Sequence, residues 1–214
     1  MRIYKTFYKK KLSLIDSNTK YKIIINKKIP VFAGLGGGTG NAATVIKYFL
    51  RNKISSKLLE VFENKIGSDL RLFFFNHSFQ ENLKNLKKFK KKYKFYFVLV
   101  YPNIKCSTKE IYSKVKTFSS PLRIDPSIIS SKDKYDNFLK SEVNDLQKIV
   151  EKKYKRIKNI LNFIKHQKNC LLSRMTGSGS VCFGIFHDRK SANFAVKVLK
   201  RKFPTYWCEL TKSI

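Results

Sequence analysis

Nine glycines occur in this 214-residue chain, and five of them fall within seven positions: Gly34, Gly36, Gly37, Gly38 and Gly40. The run reads Pro30-Val31-Phe32-Ala33-Gly34-Leu35-Gly36-Gly37-Gly38-Thr39-Gly40, and apolar residues at helical spacing follow it. Glycine reaches backbone angles closed to other residues and lets a ligand come close to the main chain. A helix N-terminus adds unpaired N–H groups and partial positive charge. Together these features read as a cradle for phosphate groups, and so for a nucleotide. An ordinary flexible turn would not need glycines at this density, because each one adds chain entropy that folding must overcome.

Neither common nucleotide fingerprint fits. A P-loop needs a lysine directly after its glycines, and none is present. A dinucleotide-binding turn needs an acidic residue about twenty residues on, at the end of a second strand. Glu60 and Glu63 lie near that distance, but inside a predicted helix. A second candidate group is Asp69, in Gly67-Ser68-Asp69. A carboxylate is a weak base in bulk water, so it takes a proton from a hydroxyl only when held beside it. Taken alone, Gly-Ser-Asp also reads as an ordinary turn. A third candidate is the loop Arg174-Met175-Thr176-Gly177-Ser178-Gly179-Ser180, which otherwise reads as a tight turn before a strand.

The elements that must carry these groups follow from periodicity and punctuation. Tyr21–Asn26 is short and isoleucine-rich and predicts a strand. From Asn41, apolar residues at Ala42, Val45, Ile46, Phe49 and Leu50 predict a helix. A second helix is predicted over Ser56–Ile66, stopped by Gly67. Leu72–Phe75 predicts a buried strand. The lysine-rich stretch from Lys84 to Lys94 reads as a linker or hairpin, and as the boundary between domains at 1–90 and 95–214. Phe95–Tyr101 predicts a strong strand. Ser107-Thr108-Lys109-Glu110 is a capping-box pattern opening a helix through Val115. Ser119–Lys134 reads as loop. Leu139, Val143, Leu146, Val150, Tyr154, Ile157, Leu161 and Ile164 predict one long helix or two joined ones. Val181–Phe186 predicts a strand, Asp188 the cap of a helix bearing Ala192, Ala195, Val196 and Leu199, and Trp207–Leu210 a closing strand.

Composition bounds the function classes. Basic residues number 46 against 14 acidic ones, a formal net charge of +32. A charge of that sign suits anionic ligands. The lysines are spread along the chain rather than gathered into a reading stripe, so nucleic acid is not expected as the main partner. No apolar run approaches the roughly 18 residues of a membrane span, and no signal core follows Met1-Arg2-Ile3-Tyr4-Lys5, so a cytoplasmic location is expected. Cys106, Cys170, Cys182 and Cys208 form no C-x-x-C pair, and His77, His166 and His187 are isolated. This pattern predicts buried reduced thiols and no metal site built from side chains.

The glycine run, read with its flanks as Pro30-x-x-x-Gly34-Leu35-Gly36-Gly37-Gly38-Thr39-x-Asn41-Ala42-Ala43, resembles the central motif of the GHMP kinases. Within them it is similar to the branch that phosphorylates 4-diphosphocytidyl-2-C-methyl-D-erythritol. Further segments agree in order. Gly67-Ser68-Asp69 resembles the segment carrying the family's catalytic aspartate. Pro102 with Thr108 and Ile111-Tyr112 resembles the start of the C-terminal domain. Asn144-Asp145-Leu146 resembles a helix motif, and Arg174–Gly179 the third, glycine-rich motif. The resemblance runs from about Tyr21 to the C-terminus.

The resemblance implies an α+β, two-domain GHMP kinase fold: part of a ribosomal-S5-domain-2-like N-terminal domain, then a ferredoxin-like C-terminal domain. It implies ATP with Mg²⁺ as cofactor and transfer of phosphate to the 2-hydroxyl of 4-diphosphocytidyl-2-C-methyl-D-erythritol, a step of the non-mevalonate isoprenoid pathway. Pro30 through Gly40 would bind ATP, with Thr39 able to add a hydroxyl for phosphate or Mg²⁺. Asp69 would be catalytic, and Thr176, Gly177, Ser178 and Gly179 would close over phosphate or acceptor. Three departures stand out. Only 33 residues precede Gly34, and the family's Pro-Ala-Lys segment is not among them. Lys5, Lys9 and Lys10 lie in no such context, so the expectation is a chain truncated at its N-terminus and not necessarily active alone. Gly40 stands where the family often has a second serine. Gln80–Lys94 lacks the family's Gly-x-Gly-Glu stretch. The competing expectations are a basic nucleotide- or RNA-binding module without catalysis, and a GHMP kinase for another small alcohol.

Overall fold

The computed structural model describes residues 21–51, 53–75, 78–82, 85–89, 92–120 and 125–213. Contacts divide the chain into two compact units, Met1–Lys28 with Gly38–Phe74, and Ile29–Gly37 with Phe75–Ile214. Part of the glycine run thus folds with the C-terminal part of the chain.

In the first unit, helix α1 spans Gly37–Phe49 and opens four residues earlier than the apolar spacing predicts. Gly37, Gly38, Thr39 and Gly40 are therefore its first turn. Ala43 and Ile46 are buried and anchor its apolar face. Helix α2 spans Ser56–Ile66; Ser55 caps it by accepting from the Leu58 N–H at 3.3 Å. Gly67, at φ 142°, ends it and donates its N–H to the Glu63 carbonyl. Two predicted strands are corrected here. Ser68–Phe74 is a 3-10 helix. A continuous apolar run cannot distinguish strand from helix by period alone, and here the side chains point in different directions. Leu70 is buried, Phe73 lies against Gly40, and Phe74 lies under the Lys47 ammonium at 5.3 Å. Tyr21–Asn26 forms no strand. A strand needs neighbours for its backbone N–H and C=O groups, and among the described residues this segment pairs with none. Ile24 is 79% exposed.

After Phe75 the second unit carries an antiparallel pair, β1 (Ser78–Gln80) and β2 (Leu86–Lys88), the latter in the lysine-rich stretch. The main sheet has four antiparallel strands: β3 (Tyr96–Tyr101), β4 (Cys170–Met175), β5 (Cys182–Phe186) and β6 (Trp207–Lys212), in spatial order β4-β5-β3-β6. Helices connect β3 to β4, a loop joins β4 to β5, and a helix joins β5 to β6. That is the βαββαβ order and strand arrangement of a ferredoxin-like domain.

Alternation along β3 explains its two-sided burial. Val98 and Val100 belong to the helix-covered core with Ile157, Ile160, Ile164, Ala195 and Leu199. Leu99 and Tyr101 pack with Ala33, Leu35 and Val181, and Phe97 with Phe95, Leu172 and Ile185. The connection after β3 carries α3 (Thr108–Ser113), α4 (Lys132–Ser141), α5 (Asp145–Lys153) and α6 (Lys155–Lys165). The predicted long helix is therefore broken at 142–144 and at Tyr154, and Val143 is 66% exposed. The loop expected over Ser119–Lys134 contains a 3-10 turn, Pro126–Ile129, capped by Asp125. Helix α7 (Arg189–Lys202) starts at its Asp188 cap. Gly184 lets α6 lie close on β5, since a Cβ there would stand 2.4 Å from Ile164 Cγ2. The four cysteines are free thiols, and burial pushes Cys170 and Cys208 up to about 11.

Candidate functional site

Within the second unit, segment 29–37 lies against the third glycine-rich loop. Ala33 is buried, while Val31 and Phe32 are exposed. The Ala33 carbonyl accepts from the Val181 N–H at 3.3 Å and the Thr176 hydroxyl at 3.4 Å. Tyr101 donates its hydroxyl to the Val31 carbonyl at 3.4 Å. Gly34 sits at φ +71°; a Cβ on it would stand 2.6 Å from the Gly179 carbonyl oxygen and 3.0 Å from that of Thr176. Only glycine satisfies both the angle and the space. Phe32 holds a left-handed φ of 62° as a non-glycine residue, with Lys105 Nζ 5.6 Å from its ring.

The loop itself is braced from three sides. Thr176 donates its N–H to the Val181 carbonyl at 2.9 Å, and Gly179 donates to that of Thr176 at 2.8 Å. The Ser178 hydroxyl meets that of Thr108 at 2.9 Å. Asn144 donates to the carbonyls of Met175 (2.9 Å) and Gly177 (2.8 Å). Ser180 is fully buried and donates to the Ile104 carbonyl. Arg174 and Met175, read from sequence as loop, end strand β4 instead. Arg174 donates to the carbonyls of Leu139 and Lys140 at the end of α4, satisfying groups that a helix C-terminus leaves open.

In the first unit, Asp69 is exposed in the first turn of the 3-10 helix. That turn is tied to α2 two residues on. Arg71 grips Glu63 with two charge-assisted bonds, Nε to Oε1 at 2.8 Å and Nη2 to Oε2 at 2.6 Å. Glu63 is buried, and the bond to it holds the Arg71 guanidinium above its ordinary pKa. The other end of the turn is tied to α1, where Lys47 donates to the Phe73 carbonyl. A Cβ on Gly40 would meet the Phe73 ring at 3.0 Å. The ring thus takes the space a serine would need. Among the described residues, outside its own helix backbone and chain neighbours, Gly38 has nothing within 4 Å of where a Cβ would stand.

Residues 134–205 match the family model described as GHMP kinases C terminal. The chain is similar to 4-diphosphocytidyl-2-C-methyl-D-erythritol kinase of Pelagibacter ubique, at 39% identity over 96% of this chain and 75% of that protein. It belongs to that family of GHMP kinases. The enzyme of the same name from Buchnera aphidicola is 36% identical over 80% of this chain and 56% of its own length. The chain thus spans between about half and three quarters of the length of these relatives. Among solved structures, a 4-(cytidine 5'-diphospho)-2C-methyl-D-erythritol kinase covers 86% of this chain and 68% of its own, at 21% identity and a TM-score of 0.66. A homoserine kinase from Cytophaga hutchinsonii covers 88% of this chain and 68% of its own, at 16% identity and a TM-score of 0.57. At those identities the two structures speak for the GHMP kinase fold.

In a GHMP kinase chain the motifs read from sequence are expected to assemble, and within the second unit they do. Residues 29–37, Thr108 and Asn144 each bond to the Thr176–Gly179 loop. Sequence reasoning missed the groups that hold the motifs. Nothing marks Glu63 and Arg71 as partners except their spacing of eight, and Phe73 reads only as one aromatic in an apolar run.

Proposed function

We propose that this chain transfers the γ-phosphoryl group of ATP to the 2-hydroxyl of 4-diphosphocytidyl-2-C-methyl-D-erythritol. The observation that carries the reading is the close packing of Gly34 against Thr176 and Gly179 in a chain of this family. Phosphoryl transfer is mostly positioning and charge stabilisation. The N–H groups of Gly36 to Gly40, at the start of α1, are the donors for phosphate oxygens. The open space above Gly38 suits main-chain approach by a triphosphate. Asp69 orients the acceptor hydroxyl and takes its proton, held in place by the Arg71–Glu63 and Lys47–Phe73 ties. Thr176 to Gly179 face phosphate or acceptor.

Among the described residues no three His, Cys, Asp or Glu side chains gather. A Mg²⁺ would be carried by the nucleotide's phosphates, with the Thr39 hydroxyl as a protein oxygen in the first turn of α1. When bound, such an ion would neutralise charge on the phosphates.

The test offers γ-labelled ATP with 4-diphosphocytidyl-2-C-methyl-D-erythritol, homoserine or mevalonate as acceptor. Transfer to the first alone is expected. Asp69→Asn should lower turnover at least about a hundredfold while ATP still binds. Near-normal turnover in that variant removes Asp69 from the mechanism, and transfer to homoserine or mevalonate instead removes the substrate. The +32 charge favours one other reading, an RNA-binding module. That reading requires RNA retention falling steeply with salt.

A further inference from the structure

The third glycine-rich loop is held from outside itself chiefly by one side chain that none of the roles above uses. Asn144 is half-buried and precedes α5, and three of its amide's four hydrogen-bonding directions are filled. Its oxygen accepts from the Leu146 N–H at 3.0 Å, capping the helix. Its nitrogen gives one hydrogen to the Met175 carbonyl at 2.9 Å and the other to the Gly177 carbonyl at 2.8 Å. Only this orientation of the amide matches donors to acceptors throughout. One turn on, the Gln147 side-chain oxygen accepts from the Met175 N–H at 2.9 Å. The first turn of α5 thus binds the backbone on both sides of Thr176. Thr176 and Gly179 in turn are the residues whose carbonyls Gly34 approaches.

We propose that Asn144 is a positioning residue for phosphoryl transfer, fixing the Thr176–Gly179 loop against the Gly34 segment. The proposal rests on the kinase reading for its catalytic consequence, but not for the clamp itself. Capping and clamping use different atoms of the same amide, so substitutions separate them. Asn144→Asp keeps a capping oxygen, since aspartate caps as well as asparagine, and loses both donors. Asn144→Ser keeps a capping oxygen without the charge. Asn144→Ala loses cap and clamp together.

Two readouts are taken on this chain. Hydrogen exchange follows the Thr176, Gly179 and Val181 amides, which are bonded to Val181, Thr176 and Ala33. Asn144→Asp and Asn144→Ser should raise their exchange about tenfold or more, and Asn144→Ser, which keeps a capping oxygen, should melt above Asn144→Ala. In the kinase assay, kcat should fall about ten- to a hundredfold in the Asp and Ser variants, with a smaller change in KM for ATP. Unchanged exchange in both variants overturns the clamp. Raised exchange with parental kcat overturns the positioning role. A parent chain that transfers no phosphate while exchange still rises supports the clamp and counts against the kinase reading alone.

Discussion

Two glycines of the same motif, Gly34 and Gly38, should respond in opposite ways to the same substitution. At Gly34 a new methyl would stand 2.6 Å from the Gly179 carbonyl oxygen, about 0.8 Å inside the 3.4 Å at which ordinary contact begins. The obstacle is backbone, with a second carbonyl at 3.0 Å, so no side-chain rotation relieves it. The left-handed φ of +71° adds a strain of about 1 kcal/mol for alanine. With overpacking of about 1–3 kcal/mol, Gly34→Ala should destabilise by about 2–4 kcal/mol. It should also push the Thr176–Gly179 loop outward by several tenths of an ångström, enough to lower kcat about tenfold or more. Gly38 lies in the first turn of α1, and among the described residues beyond its own helix nothing stands within 4 Å of a Cβ there, so Gly38→Ala meets no clash with them. Alanine favours helix over glycine by up to about 1 kcal/mol. The protein should therefore melt higher, while KM for ATP rises because the methyl occupies space left for the nucleotide. Urea unfolding and initial rates at varied ATP measure both. A Gly34→Ala protein as stable and active as the parent, or a Gly38→Ala protein with unchanged KM, refutes the reasoning.

Arg71→Ala removes the grip on Glu63, whose carboxylate is only 8% exposed. A loss of about 1–3 kcal/mol is expected, with a fall in kcat because the turn carrying Asp69 loosens; parental kcat in a destabilised variant would separate the two. Glu110 is held at about 2, below its ordinary 4.5, by hydrogen bonds from Lys114 and then Lys153. Its contribution is present above pH 4.5 and is lost as pH falls through 2. The stability gap between the parent and Glu110→Gln, read by urea unfolding, should narrow from pH 4.5 downward and shrink with added salt, as expected of an exposed pair. A gap that widens on acidification is the contrary result.

Helices with full amphipathic faces and side-chain caps were legible in the sequence. Ser107 and Asp188 read as caps in the sequence and do cap the helices that follow, whereas Ser55 and Asn144 cap their helices without being read so. Strands of the sheet centre were legible too, because β3 and β5 are apolar on both faces. Strand β4 was obscured by Ser173 and Arg174, a polar pair whose guanidinium is used to close α4. The 3-10 helix was misread because Leu72–Phe75 has no period to read. Tyr21–Asn26 has the composition of a strand but no partner among the described residues. At the site, residue types were legible and pairings were not: Gly34 with Gly179 and Asn144 with Gly177 are contacts between segments far apart in sequence, which no local pattern encodes.

The placement of Ile29–Gly37 with the C-terminal sheet changes what a ligand bound to that run would do to the protein. Ala33 and Leu35 cover Tyr101, Val181 and Leu99, so the first half of the glycine run is part of the ferredoxin-like domain's own core. A ligand seated on that run is then linked by mass action to the folding of the sheet beneath it. The same packing means that a fragment beginning at Phe75 would leave those sheet residues bare. On the proposed reading, occupancy of the glycine run would stabilise the C-terminal domain, and loss of that domain's fold would weaken binding.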